Sequence, residues 1–324
     1  MINRLLIAFF ACAALAGAAA AADNSVTFDQ RGDMKALVSG LQAGAAEAAA
    51  PQTPEFPEFT FIESKAPAAY AKGFVKKDLP ASYWKSFKNA KVQIPDQLDL
   101  RPKLTQIENQ GSCGSCWAFG LTAAHRDGHA LAGRDPGRLS QEWMVDNSTY
   151  AAGCQGGYFD SANDIVTPRG QPLWSDCPYK NGSAKCALDL PIAAQITGWF
   201  MIGEKTTGPT IKDIEAYMTL TGKTIAIGVA AGAGRWQSYS GGVYNACKFA
   251  EMDHMINIVG WDNEGAAFDE YGNLPPGKGI WIMRNSWGKS WGEQGYMRTR
   301  MTDPAGKRCN AVAQEAAGFD FPQR

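Results

Sequence analysis

"NQGSCGSCWAFG", residues 109–120, sets two cysteines three apart directly before a tryptophan. That spacing admits three chemistries: half of a metal knuckle, a redox pair, or a thiol nucleophile whose partners lie elsewhere. A knuckle needs about four ligands in a compact set. Beyond Cys12, the other cysteines stand at 154, 177, 186, 247 and 309, with no second C-x-x-C. A redox pair follows a strand in a small α/β unit, whereas "QIENQGS" precedes Cys113 here. The third reading needs less. Gly114 and Ser115 permit a tight turn, Ser115 suits a helix N-cap, and a helix opening near Cys116 places its sulfur at the positive helix end, which lowers a thiol pKa.

A thiol nucleophile needs a base, and the chain has three histidines. His125 and His129 lie nine and thirteen residues along the helix that opens at Cys116, about 13 and 20 Å up its axis. Neither reaches the sulfur. They are four apart and could share a metal, but no acidic or cysteine ligand stands beside them, so they read as partly exposed helix residues and no metal or cofactor is expected. His254, on a strand in the other half of the chain, is left as the base. Asn285, at the end of the next apolar strand, can hold the imidazole in one tautomer. Gln110, six residues before Cys116, can aim its amide N–H at an oxyanion together with the Cys116 backbone N–H.

The surrounding texture predicts an α+β fold. Helices are expected over Trp117–Leu131, Leu139–Val145 with Ser140 as cap, and 210–221; strands over "TIAIGVAA", "HMINIVGW", "GIWIMRNSW" and "YMRTRM". A helical first half followed by a strand-rich second half implies two lobes, with a cleft between them that holds the site. The net charge is −1 and no Lys/Arg run occurs, which argues against a nucleic-acid partner.

Residues 1–22 combine a basic start, an apolar run and small residues, the pattern of a secretory leader and hence of an oxidising destination. Met34, Leu37, Val38 and Leu41 suggest an amphipathic helix, which the prolines of residues 51–57 end. Residues 65–91 hold seven lysines and little apolar periodicity. A change to Gly-, Trp- and Cys-rich sequence places a boundary between Ala90 and Pro95. Residues 23–91 then form an N-terminal segment and 92–324 the main unit, its helical lobe about 107–208 and its β-rich lobe about 209–310.

These motifs resemble the papain-like cysteine proteases over residues 92–310. "QGSCGSCWAF" (110–119) is similar to that family's nucleophile motif, "DHMINIVGW" (253–261) to its histidine motif, "IMRNSWGKSWGEQGYMR" (282–298) to its asparagine motif, and "WQSYSGGVY" (236–244) to a further segment. The resemblance implies a two-lobed papain-like fold with a β-barrel-like second lobe. It implies a cysteine endopeptidase acting through an acyl-enzyme with Cys116 as nucleophile, His254 as base, Asn285 as orienter, Gln110 in the oxyanion hole and Trp287 shielding the His–Asn bond. "GCQGG" (153–157) implies that Gly156 and Gly157 bind substrate backbone, with Tyr158, Phe159 and Met255 near an apolar pocket. The family pattern also implies disulfides Cys113–Cys154 and Cys247–Cys309. Asn147 replaces a usual cysteine, so Cys186 is expected to turn to Cys177, leaving Cys116 as the free thiol. Residues 23–91 are implied to be an inhibitory propeptide of a monomeric zymogen whose partner is a peptide or protein substrate. Secreted, periplasmic or lysosome-like export is expected; aminodipeptidase, transpeptidase or noncatalytic peptide-binding roles are the alternatives. The long 262–279 connection is expected to be a solvated hairpin extension.

Overall fold

The computed structural model describes residues 61–64 and 70–323. The expected leader and the amphipathic helix near Met34–Leu41 lie outside the described residues. The strands are β1 (Ile62–Glu63), β2 (Trp84–Lys85), β3 (Gln97–Asp99), β4 (Gly198–Ile202), β5 (Ile225–Val229), β6 (Tyr239–Gly241), β7 (Val243–Tyr244), β8 (His254–Asp262), β9 (Ile280–Arg284), β10 (Tyr296–Arg300) and β11 (Ala316–Asp320). The α-helices are α1 (Cys116–Leu131), α2 (Gln141–Asn147) and α3 (Ile211–Thr221).

The main sheet runs β2-β4-β11-β5-β8-β9-β10-β7, with β3 also paired to β8. Most pairings are antiparallel; β10–β7 and β2–β4 are parallel. The β-rich lobe therefore draws β4 and β11 from outside the 209–310 span expected for it. Neither strand has a strong alternating pattern: "GWFMI" is buried at four of its five positions and "AAGFD" at four of five, so the sequence gives them no amphipathic signature.

Side-chain alternation divides the sheet between two cores. Ile225, Ile227 and Val229, with Ile256 and Ile258, pack with Ile214, Tyr217 and Met218 of α3. Their neighbours Ala226 and Met255, with Ala317, face the other way and join Trp117 and Leu121 of α1, Trp143 of α2 and Phe159. Small residues on that face let α1 lie close: a Cβ on Gly120 would come within 2.8 Å of Met255. The buried Arg284–Asp127 ion pair ties the end of β9 to α1, and Asn257 Nδ2 donates to the Gly120 carbonyl at 2.9 Å. The cleft floor is thus fixed from both lobes.

α2 opens on Ser140, whose hydroxyl accepts from Trp143 N at 3.0 Å. α3 opens on a capping box: Asp213 N donates to Thr210 Oγ1 and Thr210 N donates to Asp213 Oδ2. It closes on Gly222 at φ 64°, a left-handed position that glycine takes without a Cβ penalty. His125 and His129, expected to be partly exposed, are both buried. His125 Nδ1 faces Gln171 Oε1 at 3.0 Å and His129 Nε2 faces the Gln195 carbonyl; α1 is covered on nearly all sides, so its polar positions turn inward to partners. In the 262–279 connection, Glu264 pairs with Arg300 and Asp269 accepts from the Tyr271 and Asn273 amides.

Candidate active site

α1 begins at Cys116 in a turn that only glycine-rich sequence can form here. Gly114 N donates to the Cys154 carbonyl at 3.1 Å, and a Cβ on Gly114 would meet that carbonyl at 2.3 Å. The Cys113–Cys154 disulfide clamps the same point. Ser115 occupies the N-cap position, but its hydroxyl goes to Tyr179 Oη at 2.7 Å and not to the first helical turn. Tyr179 Oη in turn donates to the Gln110 carbonyl. The capping expectation for Ser115 is corrected accordingly: the hydroxyl links the turn before Cys116 to the segment that carries Gln110. Cys177 bonds to Cys186 and Cys247 to Cys309, and Cys116 is the free cysteine among the described residues.

The sulfur of Cys116 is fully buried and receives the backbone amides of Met255, Gly73 and Trp117. Met255 directly follows His254 in β8, so the amide of Met255 sets the Cys116 sulfur beside the strand that carries the imidazole. His254 Nε2 and Asn285 Oδ1 lie 2.8 Å apart, and Asn285 Oδ1 also accepts from Ser286 N. His254 Nδ1 is buried with no hydrogen-bond partner. Trp287 stacks on the imidazole, with centroids 4.6 Å apart. Gln110 is also buried: Ser286 Oγ donates to its Oε1 at 2.7 Å, which turns its Nε2 into the cleft. Ser286 and Tyr179 escaped the sequence reading, because a hydroxyl that positions Gln110 declares itself only once the loops are folded together.

Met255 packs in the same core as Phe74, Tyr158 and Phe159. Period-two alternation along β8 puts its side chain on the face opposite His254, against Gly120 of α1. Met252, before the strand begins, also lies near the pocket: a Cβ on Gly228 would meet the Met252 sulfur at 2.5 Å and the Phe74 ring at 3.2 Å.

Residues 70–75 lie along the cleft. Tyr70 stacks on Trp287 with centroids 4.5 Å apart and planes 9° from parallel. The Ala71 carbonyl accepts from Gln110 Nε2 at 3.1 Å and from Trp287 Nε1 at 3.3 Å. Gly73 O accepts from Gly157 N, and Val75 N donates to Gly157 O, each at 2.9 Å, in parallel register. Phe74 enters a pocket walled by Tyr158 and Phe159, with ring centroids 5.2 and 5.5 Å from its own. Tyr158 Oη donates to Glu315 Oε2 at 2.7 Å. Gly156, at φ 128°, leaves the room: a Cβ there would strike Val75 and Gly73. Basic side chains of the segment meet acidic ones of the cleft: Lys72 with Asp253, Lys76 with Glu315, Lys77 with Asp160.

This covering corrects the thiolate expected from the helix dipole alone. Burial pushes the Cys116 thiol up to about 12, against the three amide donors that favour the anion. Burial likewise pushes His254 down to about 4, against its bond to Asn285. With the cleft filled, both groups are neutral near pH 7.

A family model described as papain family cysteine protease matches residues 94–318. A probable cysteine protease, RD21B, of Arabidopsis thaliana is 32% identical over 230 residues, 69% of this chain and 46% of that protein. The chain thus spans about half the length of the curated relative it matches. Among solved structures, the recombinant stem bromelain precursor superposes with a TM-score of 0.65 at 22% identity, covering 91% of each chain. A ragweed pollen cysteine protease, Amb a 11, in its proform superposes with a TM-score of 0.56 at 28% identity, covering 72% of this chain and 68% of that one.

Proposed function

The chain belongs to the papain family of cysteine proteases, and from that premise we propose that it is an exported cysteine endopeptidase made as a zymogen and held inactive by residues 70–75. One observation carries the reading. The segment fills each position that a peptide substrate needs: a carbonyl at the Gln110 amide, a backbone amide at the Cys116 sulfur, paired hydrogen bonds to Gly157 and an aromatic side chain in the Tyr158–Phe159 pocket. Running parallel to Gly157, it blocks the cleft in a fixed register.

Once the segment leaves, solvent and substrate reach the pair and the burial that keeps both groups neutral is relieved. The Cys116 proton passes to His254 Nδ1, the ring nitrogen without a partner, while Asn285 holds Nε2. The thiolate adds to the scissile carbonyl carbon, and the oxyanion takes hydrogen bonds from Gln110 Nε2 and the Cys116 backbone N–H. Imidazolium protonates the leaving amine, the C–N bond breaks and a thioester remains. His254 then removes a proton from water; hydroxide adds to the thioester, and collapse releases the carboxylic acid and returns the proton to sulfur. Trp287 covers the His254–Asn285 bond and so keeps water from competing for it. Three disulfides among the described residues suit an oxidising compartment.

The test is the Cys116→Ala chain beside the wild type, both with the covering segment removed. The variant is expected to lose peptide hydrolysis and labelling by a thiol-directed epoxide while it keeps its fold and its affinity for peptide. Undiminished hydrolysis by the variant overturns the proposal.

A further inference from the structure

We propose that the chain is cut between Val75 and Leu79 and that residues 80–91 remain as an edge strand of the active enzyme; this rests on the zymogen reading above. The two halves of the N-terminal segment are held in opposite ways. Residues 70–75 occupy positions that must empty before any peptide can bind. Residues 83–91 occupy none of them and are built into the main unit.

The second half is held by backbone, side chains and charge together. Trp84 and Lys85 pair in parallel with Met201 and Ile202, and Gly203 N donates to the Lys85 carbonyl at 2.9 Å, so β2 forms the edge of the main sheet. Asp213, the capping residue of α3, takes three further donors from this stretch on one oxygen: Ser86 Oγ at 2.7 Å, Phe87 N at 2.5 Å and Lys88 N at 2.8 Å. The Phe87 ring packs edge-on to Tyr217 and beside Phe200, Tyr83 packs on Trp199, and Lys88 pairs with Glu204. Loss of the stretch strips a buried carboxylate of three donors and uncovers the β4 edge, an arrangement that proteins avoid.

The junction between the halves has the opposite character. Val75 is 49% exposed, the Lys76 side chain 64% and the Asp78 side chain 84%. Ion pairs from Lys76, Lys77 and Asp78 hold side chains to Glu315, Asp160 and Lys205. The backbone from Lys76 to Leu79 is joined to no other backbone group by hydrogen bonds among the described residues. An exposed backbone with no backbone partner is what a protease can draw into its own cleft. A cut there severs residues 70–75, and β1 paired to β6 before them, from covalent attachment to the main unit, while Leu79, buried, and the strand beyond it stay seated.

Lysines at 72, 76, 77, 85, 88 and 91 stand on both sides of the proposed boundary and within it, so a lysine-specific endopeptidase can cut at Lys76 or Lys77 inside the window and on either side of it with one chemistry. The full chain is treated with that protease and the product is read by N-terminal sequencing, intact mass and hydrolysis of a fluorogenic peptide. The expected product starts at Lys77 or Asp78, retains Trp84 and is active. A product that starts at Val92, or a chain left intact, overturns the inference; activity in a product that starts at Val92 leaves the peptidase reading standing. A correctly cut product that neither hydrolyses peptide nor reacts with a thiol-directed epoxide sinks the peptidase reading and leaves the cut in place. The Phe87→Ala chain, cut in the same way, supplies a second measurement. If residues 80–91 remain, its product unfolds at lower urea than the wild-type product. If they are lost, the two products are the same molecule, and equal midpoints overturn the inference.

Discussion

Gln110 shows how one side chain serves several needs. Its Oε1 is held by Ser286 and its carbonyl by Tyr179, so its Nε2 points into the cleft before any substrate arrives. Preorganised donors of this kind contribute the most in water-poor sites. Gln110→Ala is expected to lower kcat by roughly 10²–10³-fold with a smaller effect on KM, as loss of one oxyanion donor does; a change below threefold in steady-state kinetics sinks that role. His125 makes a different residue-scale prediction. Burial lowers its pKa from the model-peptide 6.5 to about 3. The unfolded chain therefore gains a proton through pH 6.5 while the folded chain does not until about pH 3, and stability falls as pH drops across that window. The slope is up to ~1.4 kcal/mol per pH unit. Subtracting urea-unfolding data for His125→Gln from wild type isolates this contribution, and a flat difference between pH 6.5 and 3 refutes it. The residues proposed for the site were conspicuous in the sequence because Cys116, Gln110, His254 and Asn285 each sit inside a short local motif. The protonation state of Cys116 was not, since burial dominates it and depends on how segments distant in sequence, Gly73 among them, fold around the sulfur.

At the scale of elements, the three helices and the strands β5, β8, β9 and β10 were readable, because each carries caps, apolar runs or turn residues within its own span. β2, β4 and β11 were not. β4 and β11 pair with each other and are buried almost throughout, so their identity depends on partners more than a hundred residues apart. β2 is two residues long and polar at one of them; only the β4 edge makes it a strand. Asp213 joins these two levels. It completes the capping box of α3 and anchors β2, and although burial raises its pKa, the donors from Thr210, Ser86 and Phe87 outweigh that and hold it below the usual value. Its contribution is thus present above about pH 3.8 and lost as pH falls through the lowered folded pKa. Asp213→Ala is expected to cost about 2–4 kcal/mol at neutral pH, by loss of the cap and by orphaning of partly buried donors. Urea denaturation of the full chain checks it, and a loss under 1 kcal/mol contradicts the anchoring role.

For the molecule as a whole, the proposed zymogen raises the question of what holds residues 70–75 in the cleft. The ion pairs between segment and cleft are partly exposed and individually weak, and the Tyr70–Trp287 stack adds on the order of 1 kcal/mol. Backbone hydrogen bonds to Gly157 and Asp253 set the segment's register, and close steric fit adds to them. Gly73 passes over the nucleophile turn so closely that a Cβ on it would lie 1.8 Å from the Gly114 carbonyl oxygen. That carbonyl cannot give way, because Gly114 N is bonded to Cys154 O and the adjoining Cys113–Cys154 disulfide fixes both strands of the turn. One methyl group at position 73 must therefore lift the segment, withdraw its amide from the Cys116 sulfur and shift Phe74 in its pocket. Overpacking of this kind costs about 1–3 kcal/mol, which raises the open population roughly 5- to 150-fold. The uncut Gly73→Ala chain is expected to react with a thiol-directed epoxide faster than the uncut wild type by that factor. Because burial holds the wild-type thiol at about 12, the variant should also ionise at lower pH as solvent reaches the sulfur. Labelling rates measured across pH on both uncut chains decide the matter: a variant as slow as wild type at every pH means that steric fit at Gly73 does not hold the segment down.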